Sequence, residues 1–241
     1  MSKAVRNIKK LVNPNNDVAL TVIIPSAGEG TRMRSFGPKS LIKLPNKLTI
    51  IDYQIQLILS KFPNANIIVV HGYEATKVMN YTSSLKVINI ENERYATTNV
   101  VRSIAIGLRA ALTDKILIIY GDLLCSASML KLPDEHISSL YIDGSSTMTD
   151  NEVGCIIHNN YIESLMYDLP NKWAQIVYLT GRELDICKKL AYNINNENLL
   201  GFEILNEIIN QGGKFACIQP KNSWANDIDC AKDLLIIKDK L

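Results

Sequence analysis

Four short apolar runs constrain the fold: TVIIP at 21–25, IIVVH at 67–71, KVINI at 86–90 and KILIIY at 115–120, each parted from the next by a helical pattern. Runs this short and this rich in β-branched residues suit strands buried on both faces, as in a parallel sheet. Parallel neighbours cannot be joined by a tight turn, so the chain must cross over between them. The apolar spacings at about 51–61, 76–82 and 100–111 supply those crossovers as helices. The reading is α/β, with helices on both faces of the sheet.

After Gly121-Asp122 the pattern changes to strand-like runs at 140–142, 153–158, 161–166 and 174–179 with turn-rich segments between them. These predict a mixed, partly antiparallel extension of the sheet. Thr180-Gly181-Arg182-Glu183 fits a capping box and predicts a helix to about Tyr192, with further helical patterns at 200–211 and 230–238. Neither internal repeats nor low-complexity tracts interrupt the chain. With 241 residues, 47% of them hydrophobic, the chain is long enough for one large core, so a single domain at 21–241 is expected behind an N-terminal extension at 1–20. That extension spaces Val5, Ile8, Leu11 and Val12 helically among Lys3, Arg6, Lys9 and Lys10, and breaks at Asn13-Pro14-Asn15-Asn16. A helix packed on the domain is its expected form; the alternative, a basic membrane-surface helix, has only a short apolar stripe to work with.

A net charge of +2, with both signs interspersed, implies no broad basic face for nucleic acid but leaves room for a small anionic ligand. Five scattered cysteines without a C-x-x-C pair speak against a disulfide framework or a zinc site and fit a reducing cytoplasm. No run approaches a membrane span and no signal-peptide core opens the chain, so a cytoplasmic protein without membrane insertion is expected, compatible with a homo-oligomer.

In an open α/β sheet, ligands bind beyond the carboxyl ends of the parallel strands. The run TVIIP ends in Ser26-Ala27-Gly28-Glu29-Gly30-Thr31-Arg32, followed by Pro38-Lys39, and KILIIY ends in Gly121-Asp122. Glycines at 28 and 30 allow positive φ and let successive N–H groups face phosphate oxygens, although tight turns need glycines too. The third glycine of G-x-G-x-x-G is missing and no P-loop occurs, which excludes both of those phosphate motifs. Asp122 is placed either to hold a hard cation or to cap a following helix. Asp227 and Asp229 form a second acidic group before the last helical pattern, where one of them could serve as the cap. His71, His136 and His158 lack metal-ligand spacing and read as structural.

Taken together, IIPSAGEGTRMRSFGPKSL at 23–41, IIYGD at 118–122 and NDIDCAKDL at 226–234 resemble the three signature regions of the sugar-phosphate and choline-phosphate nucleotidyltransferase superfamily. The step from Arg32 to Lys39, with Pro38 before the lysine, matches that superfamily's G-x-G-T-R-M…P-K loop. The stretch NERYATTNVVRSIAIGL at 92–108 is similar to the choline-phosphate cytidylyltransferase type. Ser26 and Ser40 depart from the usual alanine and proline, and Arg34 adds a charge.

The resemblance implies a Rossmann-like (GT-A-like) domain that joins an NTP, CTP or UTP, to a small phosphorylated acceptor such as a phosphocholine-like molecule or a sugar phosphate, with release of pyrophosphate. It implies Mg²⁺ as cofactor, held by Asp122 and Asp229 with Asp227 as a further candidate. Ala27, Gly28, Glu29, Gly30 and Thr31 would cradle the triphosphate, Arg32 and Lys39 would neutralise its charge, and Asn99 and Ser103 would line the base or acceptor side. Trp173, Trp224, Tyr167 and Tyr178 are candidates for an aromatic cage around a quaternary ammonium. Two rival readings are a GT-A glycosyltransferase, which would normally carry D-x-D where this chain has Gly-Asp-Leu-Leu, and a non-catalytic nucleotide-binding protein. The joint presence of Arg32, Lys39, Asp122 and Asp229 argues against the latter.

Overall fold

The computed structural model describes residues 20–30, 37–132, 134–144 and 152–241. The expected extension at 1–20 therefore lies outside the described residues, apart from Leu20, which is buried. Thr31 and Arg32 lie outside them as well.

The first half follows the alternation in the sequence: β1 (Thr21–Ser26), α1 (Ile50–Lys61), β2 (Asn66–His71), α2 (Ala75–Thr82), β3 (Ile88–Glu91), α3 (Val100–Ala110) and β4 (Ile116–Ile119). Because strand side chains alternate between faces, β1 serves two cores at once. Val22 and Ile24 pack in one cluster with Ile51, Ile55 and Ile58 of α1. Ile23 packs in the other with Val101, Ile104, Ala105 and Leu108 of α3. Complete burial of each such side chain contributes about 1.5–3 kcal/mol, which is why a run without polar alternation belongs at the centre of the sheet.

Local signals set the ends of these helices. Thr49 opens α1 with a capping box: its hydroxyl accepts from the Asp52 N–H, and the Asp52 carboxylate accepts from the Thr49 N–H, both at 3.2 Å. The helix stops before Phe62-Pro63, where the proline disfavours helical backbone at the preceding residue. Asn99 caps α3, its side-chain oxygen accepting from the Val100 N–H at 2.8 Å.

The second half adds β5 (Leu123–Cys125), β6 (Ser139–Ile142), β7 (Val153–His158), β8 (Tyr161–Tyr167), β9 (Trp173–Leu179), α4 (Gly181–Tyr192), α5 (Gly201–Asn210), β10 (Phe215–Ile218), β11 (Ala225–Asp227) and α6 (Ala231–Ile236). The main sheet has nine strands in the order β3-β2-β1-β4-β9-β6-β10-β8-β7. From β3 to β4 all pairs are parallel, and β9 then runs antiparallel to both β4 and β6. The α/β architecture expected from the sequence, with a mixed, mainly parallel sheet, is the one found, and its parallel pairs are β1 with β2 and β4, β2 with β3, and β6 with β10. Strands β5 and β11 form a separate antiparallel ribbon. Strand order reverses between β1 and β4, so a crevice opens beyond their carboxyl ends.

Three local expectations are corrected. Asp122 precedes a strand, not a helix, so it has no capping role. Neither Asp227 nor Asp229 caps α6: the Asp233 carboxylate accepts from the N–H groups of Asp229 and Cys230 at 2.7 and 2.6 Å. The helix from Gly181 to Tyr192 forms, but the Thr180 side chain does not cap it. The Thr180 N–H donates instead to the Ser138 hydroxyl, and Glu183 accepts from the Lys214 N–H.

Candidate active site

Lys39, Asp122 and Asp229 meet at the reversal point. The Lys39 ammonium lies 3.1 Å from Oδ2 of Asp122 and 2.5 Å from Oδ1 of Asp229. Asp122 comes from the turn after β4. Asp229 reaches it because Asp227 of β11 pairs with Leu123 of β5 and the Ile228 N–H donates to the Asp122 carbonyl at 3.0 Å. Gly30 makes the lysine's path possible. Its φ is +56°, and a Cβ there would stand 2.7 Å from Cγ of Lys39, so the lysine stem lies directly against bare backbone. Burial works against the ammonium, but the Asp122 and Asp229 carboxylates outweigh it and hold Lys39 above the ordinary lysine value.

Asp227 lies beside this trio with its carboxylate 3.8 Å from the ammonium of Lys172. Burial pushes its carboxyl upward, Lys172 opposes that shift, and the neighbouring Asp122 and Asp229 add to it. Lys172 is itself almost fully buried and pairs with Glu152. It gave no signal in the sequence, being a single lysine ahead of an apolar strand.

The donor set can be tested against Mg²⁺. That ion takes one or two protein carboxylates and fills the remaining positions with water and substrate phosphate oxygens. Two hard carboxylate donors already converge on one cation, the Lys39 ammonium, and so the set fits. Among the described residues no group of three His, Cys, Asp or Glu side chains gathers into a cation site. Asp227 lies close enough to Asp122 and Asp229 for their charges to raise its carboxyl, and so stands beside the pair.

A cavity of about 210 Å³ opens at Lys39 and Asp122, while Asp229, bonded to the lysine ammonium, is not among its lining residues. Ala27, Gly28, Gly30, Lys39, Asn99, Ser103 and Asp122 all line it, so most of the residues singled out in the sequence are brought to one place. Glu29 is not among the lining residues. Tyr73, Asn92, Tyr95 and Thr98 line it too and were not singled out, although all except Tyr73 fall within the quoted stretch 92–108. The Asn92 amide donates to the hydroxyls of Thr98 and Ser103, each at 3.3 Å, which ties the wall of the cavity to α3. The α3 N-terminus, with its positive dipole end, opens on the cavity at Asn99 and Val100.

A second cavity, of about 180 Å³, shares Asn99, Val100 and Tyr120 with the first. Val153, Tyr167, Trp173, Gln175 and the segment 200–202 form its other walls. Two of the four candidate cage aromatics, Tyr167 and Trp173, are therefore here. The other two are elsewhere. Tyr178 is buried in the core and donates to the Glu135 carbonyl, and the Trp224 ring faces the Lys240 ammonium at 5.2 Å. His71 is buried against Asn89, as a structural histidine would be.

Residues 22–138, just under half of the chain, match the family model described as the MobA-like NTP transferase domain. The bifunctional protein GlmU of Idiomarina loihiensis is 34% identical over 116 residues, which cover 47% of this chain and 25% of GlmU. The chain thus matches about a quarter of the length of that curated relative. Among solved structures, the inositol-1-phosphate CTP transferase from T. maritima superposes with a TM-score of 0.72 at 19% identity, covering 89% of this chain and 90% of that one. The CTP:phosphocholine cytidylyltransferase from Streptococcus pneumoniae gives 0.70 at 19% identity, with 92% and 98% covered. A nucleoside-diphosphate-sugar pyrophosphorylase from Vibrio cholerae gives 0.72 at 13% identity, with 90% and 99% covered. The chain has the nucleotidyltransferase fold, and its first half carries the MobA-like NTP transferase match.

Proposed function

We propose that this chain is a nucleotidyltransferase that moves a nucleoside monophosphate from CTP or UTP to a small phosphorylated acceptor and releases pyrophosphate. One observation carries the reading: Lys39, Asp122 and Asp229, each from a different signature segment, share hydrogen bonds at the carboxyl edge of the sheet beside the glycine turn. A glycosyltransferase would have no use for a lysine held in that position.

An acceptor phosphate with a second pKa of about 6 is largely dianionic at neutral pH and attacks the α-phosphorus without a general base. The protein's task is then positioning and charge neutralisation while pyrophosphate leaves in line. The backbone at Gly28 and Gly30 would take the triphosphate, with Thr31 and Arg32 joining it on the resemblance. Lys39 would release its carboxylates and donate to the phosphate oxygens on which charge develops. Asp122 and Asp229 would hold Mg²⁺, which when bound supplies further neutralisation of the phosphates.

The second cavity would take the acceptor's head group. Its walls are chiefly aromatic and aliphatic, and among the described residues no charged side chain lines it. A sugar or polyol would need partners for several hydroxyls, and a primary ammonium would need a carboxylate. A trimethylammonium head needs neither and is attracted to aromatic faces. The test is a pyrophosphate-release screen of the four common NTPs against phosphocholine, sugar 1-phosphates and polyol phosphates with Mg²⁺. Turnover with a pyrimidine NTP and phosphocholine is expected, and release with no acceptor in the panel would overturn the reading.

A further inference from the structure

Strand β9 is irregular where it passes the second cavity. Leu140 of β6 pairs with Val177, yet Ile142 pairs with Trp173, so residues 174–176 of β9 stand opposite the single residue Tyr141. At the centre of this bulge Gln175 has a φ of +55°, left-handed backbone that residues with a Cβ seldom adopt. Its neighbours Ala174 and Ile176 are buried, whereas Gln175 is partly exposed and lines the cavity. The indole N–H of Trp173 donates to the Ile176 carbonyl across the bulge at 3.4 Å. A bulge re-aims a side chain, and conformations of this kind persist where the surroundings hold them.

The residue so delivered is chemically the odd one in its surroundings. The Asn99 oxygen is already engaged by the Val100 N–H. Among the described residues the Gln175 amide has no hydrogen-bond partner of its own, so its oxygen is the amide oxygen left for a ligand. We propose that Gln175 is the specificity-determining residue of the acceptor cavity, its uncharged amide oxygen selecting a head group that carries positive charge without N–H donors. This inference rests on the reading of that cavity as the acceptor site. An amide oxygen offers a partial charge that suits the polarised C–H groups of a trimethylammonium. It cannot compensate the desolvation of a primary ammonium as a carboxylate would.

Steady-state kinetics on the full chain, with phosphocholine and phosphoethanolamine as acceptors, tests the assignment. Gln175→Leu should raise the acceptor KM about tenfold or more and leave the NTP KM within about twofold. Gln175→Glu should move the kcat/KM ratio toward phosphoethanolamine by about tenfold or more. Gln175→Gly relieves the left-handed backbone, so the acceptor KM should rise while Tm is kept or increased. A purely structural role would move Tm and leave the KM values alone. Unchanged acceptor KM in both Gln175→Leu and Gln175→Glu, measured on whichever acceptor the wild type uses, would overturn the proposal. Preference of the wild type for a polyol phosphate would instead overturn the trimethylammonium reading, and Gln175→Leu tested on that acceptor would still decide the role of Gln175.

Discussion

Lys39 is shared by two carboxylates, and this governs what happens when any of the three is removed. Lys39→Ala should lower kcat by about two to three orders of magnitude, or about 2.7–4 kcal/mol of transition-state stabilisation. It also leaves Asp122 and Asp229 facing each other, so in metal-free buffer its Tm should fall below wild type and recover on addition of Mg²⁺. Asp122→Asn and Asp229→Asn should each remove most Mg²⁺-dependent turnover, checked by titrating Mg²⁺ at saturating NTP, because an amide is a weaker ligand for a hard cation. Away from the chemistry, Asn89 Oδ1 accepts from the Thr82 hydroxyl at 2.8 Å and lies 2.7 Å from Nε2 of His71, so Nε2 carries the proton. Nδ1 is buried without a partner among the described residues. Burial lowers the His71 pKa, and the Asn89 bond only partly offsets it. The unfolded chain therefore binds this proton more tightly than the folded one does. Stability from this residue is complete above the ordinary value of 6.5 and is lost as pH falls through it. Urea unfolding at pH 7.5 and 5.5 should show a larger acid loss for wild type than for His71→Leu. Lys39, Asp122 and Asp229 were legible in the sequence because each sits at a fixed offset from a strand end or a signature. Gln175 and Lys172 were not, since a lone polar residue beside an apolar run has no periodicity to betray it.

At the scale of elements, α3 connects core to site, with Ile104 and Leu108 in the core and Asn99 and Ser103 on the cavity wall. Its approach to β1 depends on Gly107, where a Cβ would stand 2.5 Å from Cγ2 of Ile23. Isoleucine is stiff at χ1 and cannot swing aside. Gly107→Ala should therefore destabilise the fold despite alanine's better helix propensity: overpacking costs about 1–3 kcal/mol against a gain of about 1. A lowered urea midpoint, together with a raised NTP KM as α3 shifts at Asn99 and Ser103, is the expected result. The parallel half was readable because buried runs and amphipathic helices carry strong periodic signals. Strands β5, β10 and β11 were missed: β5 and β11 have three residues each, too few for a period to register, and β10 follows the α5 pattern with no distinct run of its own. The last of these, Ala225–Asp227, is also polar for two of its three residues. The failed cap at Thr180 has a different origin. The motif was present, but tertiary partners at Ser138 and Lys214 took its groups.

For the whole molecule, the nucleotide should act as a structural ligand. An NTP at about one hundred times its Kd should stabilise the folded state by about 2.7 kcal/mol, a Tm rise of about 5–10 °C for a chain of this size. Scanning fluorimetry with CTP should show that rise with Mg²⁺ and a much smaller one in EDTA, since two aspartates close to the triphosphate repel it unless a cation intervenes. The nine-stranded order could not be read from the chain, because no local pattern states which distant strand becomes a neighbour. The ribbon of β5 and β11 shows this most clearly, and it has a consequence for how the protein comes into being. Lys39 and Asp229 are 190 residues apart, and only the pairing of that ribbon brings them into contact. During synthesis from the N-terminus, a chain that has emerged through β4 and the following turn can hold Lys39 and Asp122 but has no Asp229. On the proposed reading its half-formed pocket would be chemically silent on the ribosome, and transfer would begin only after the last strand has paired with β5.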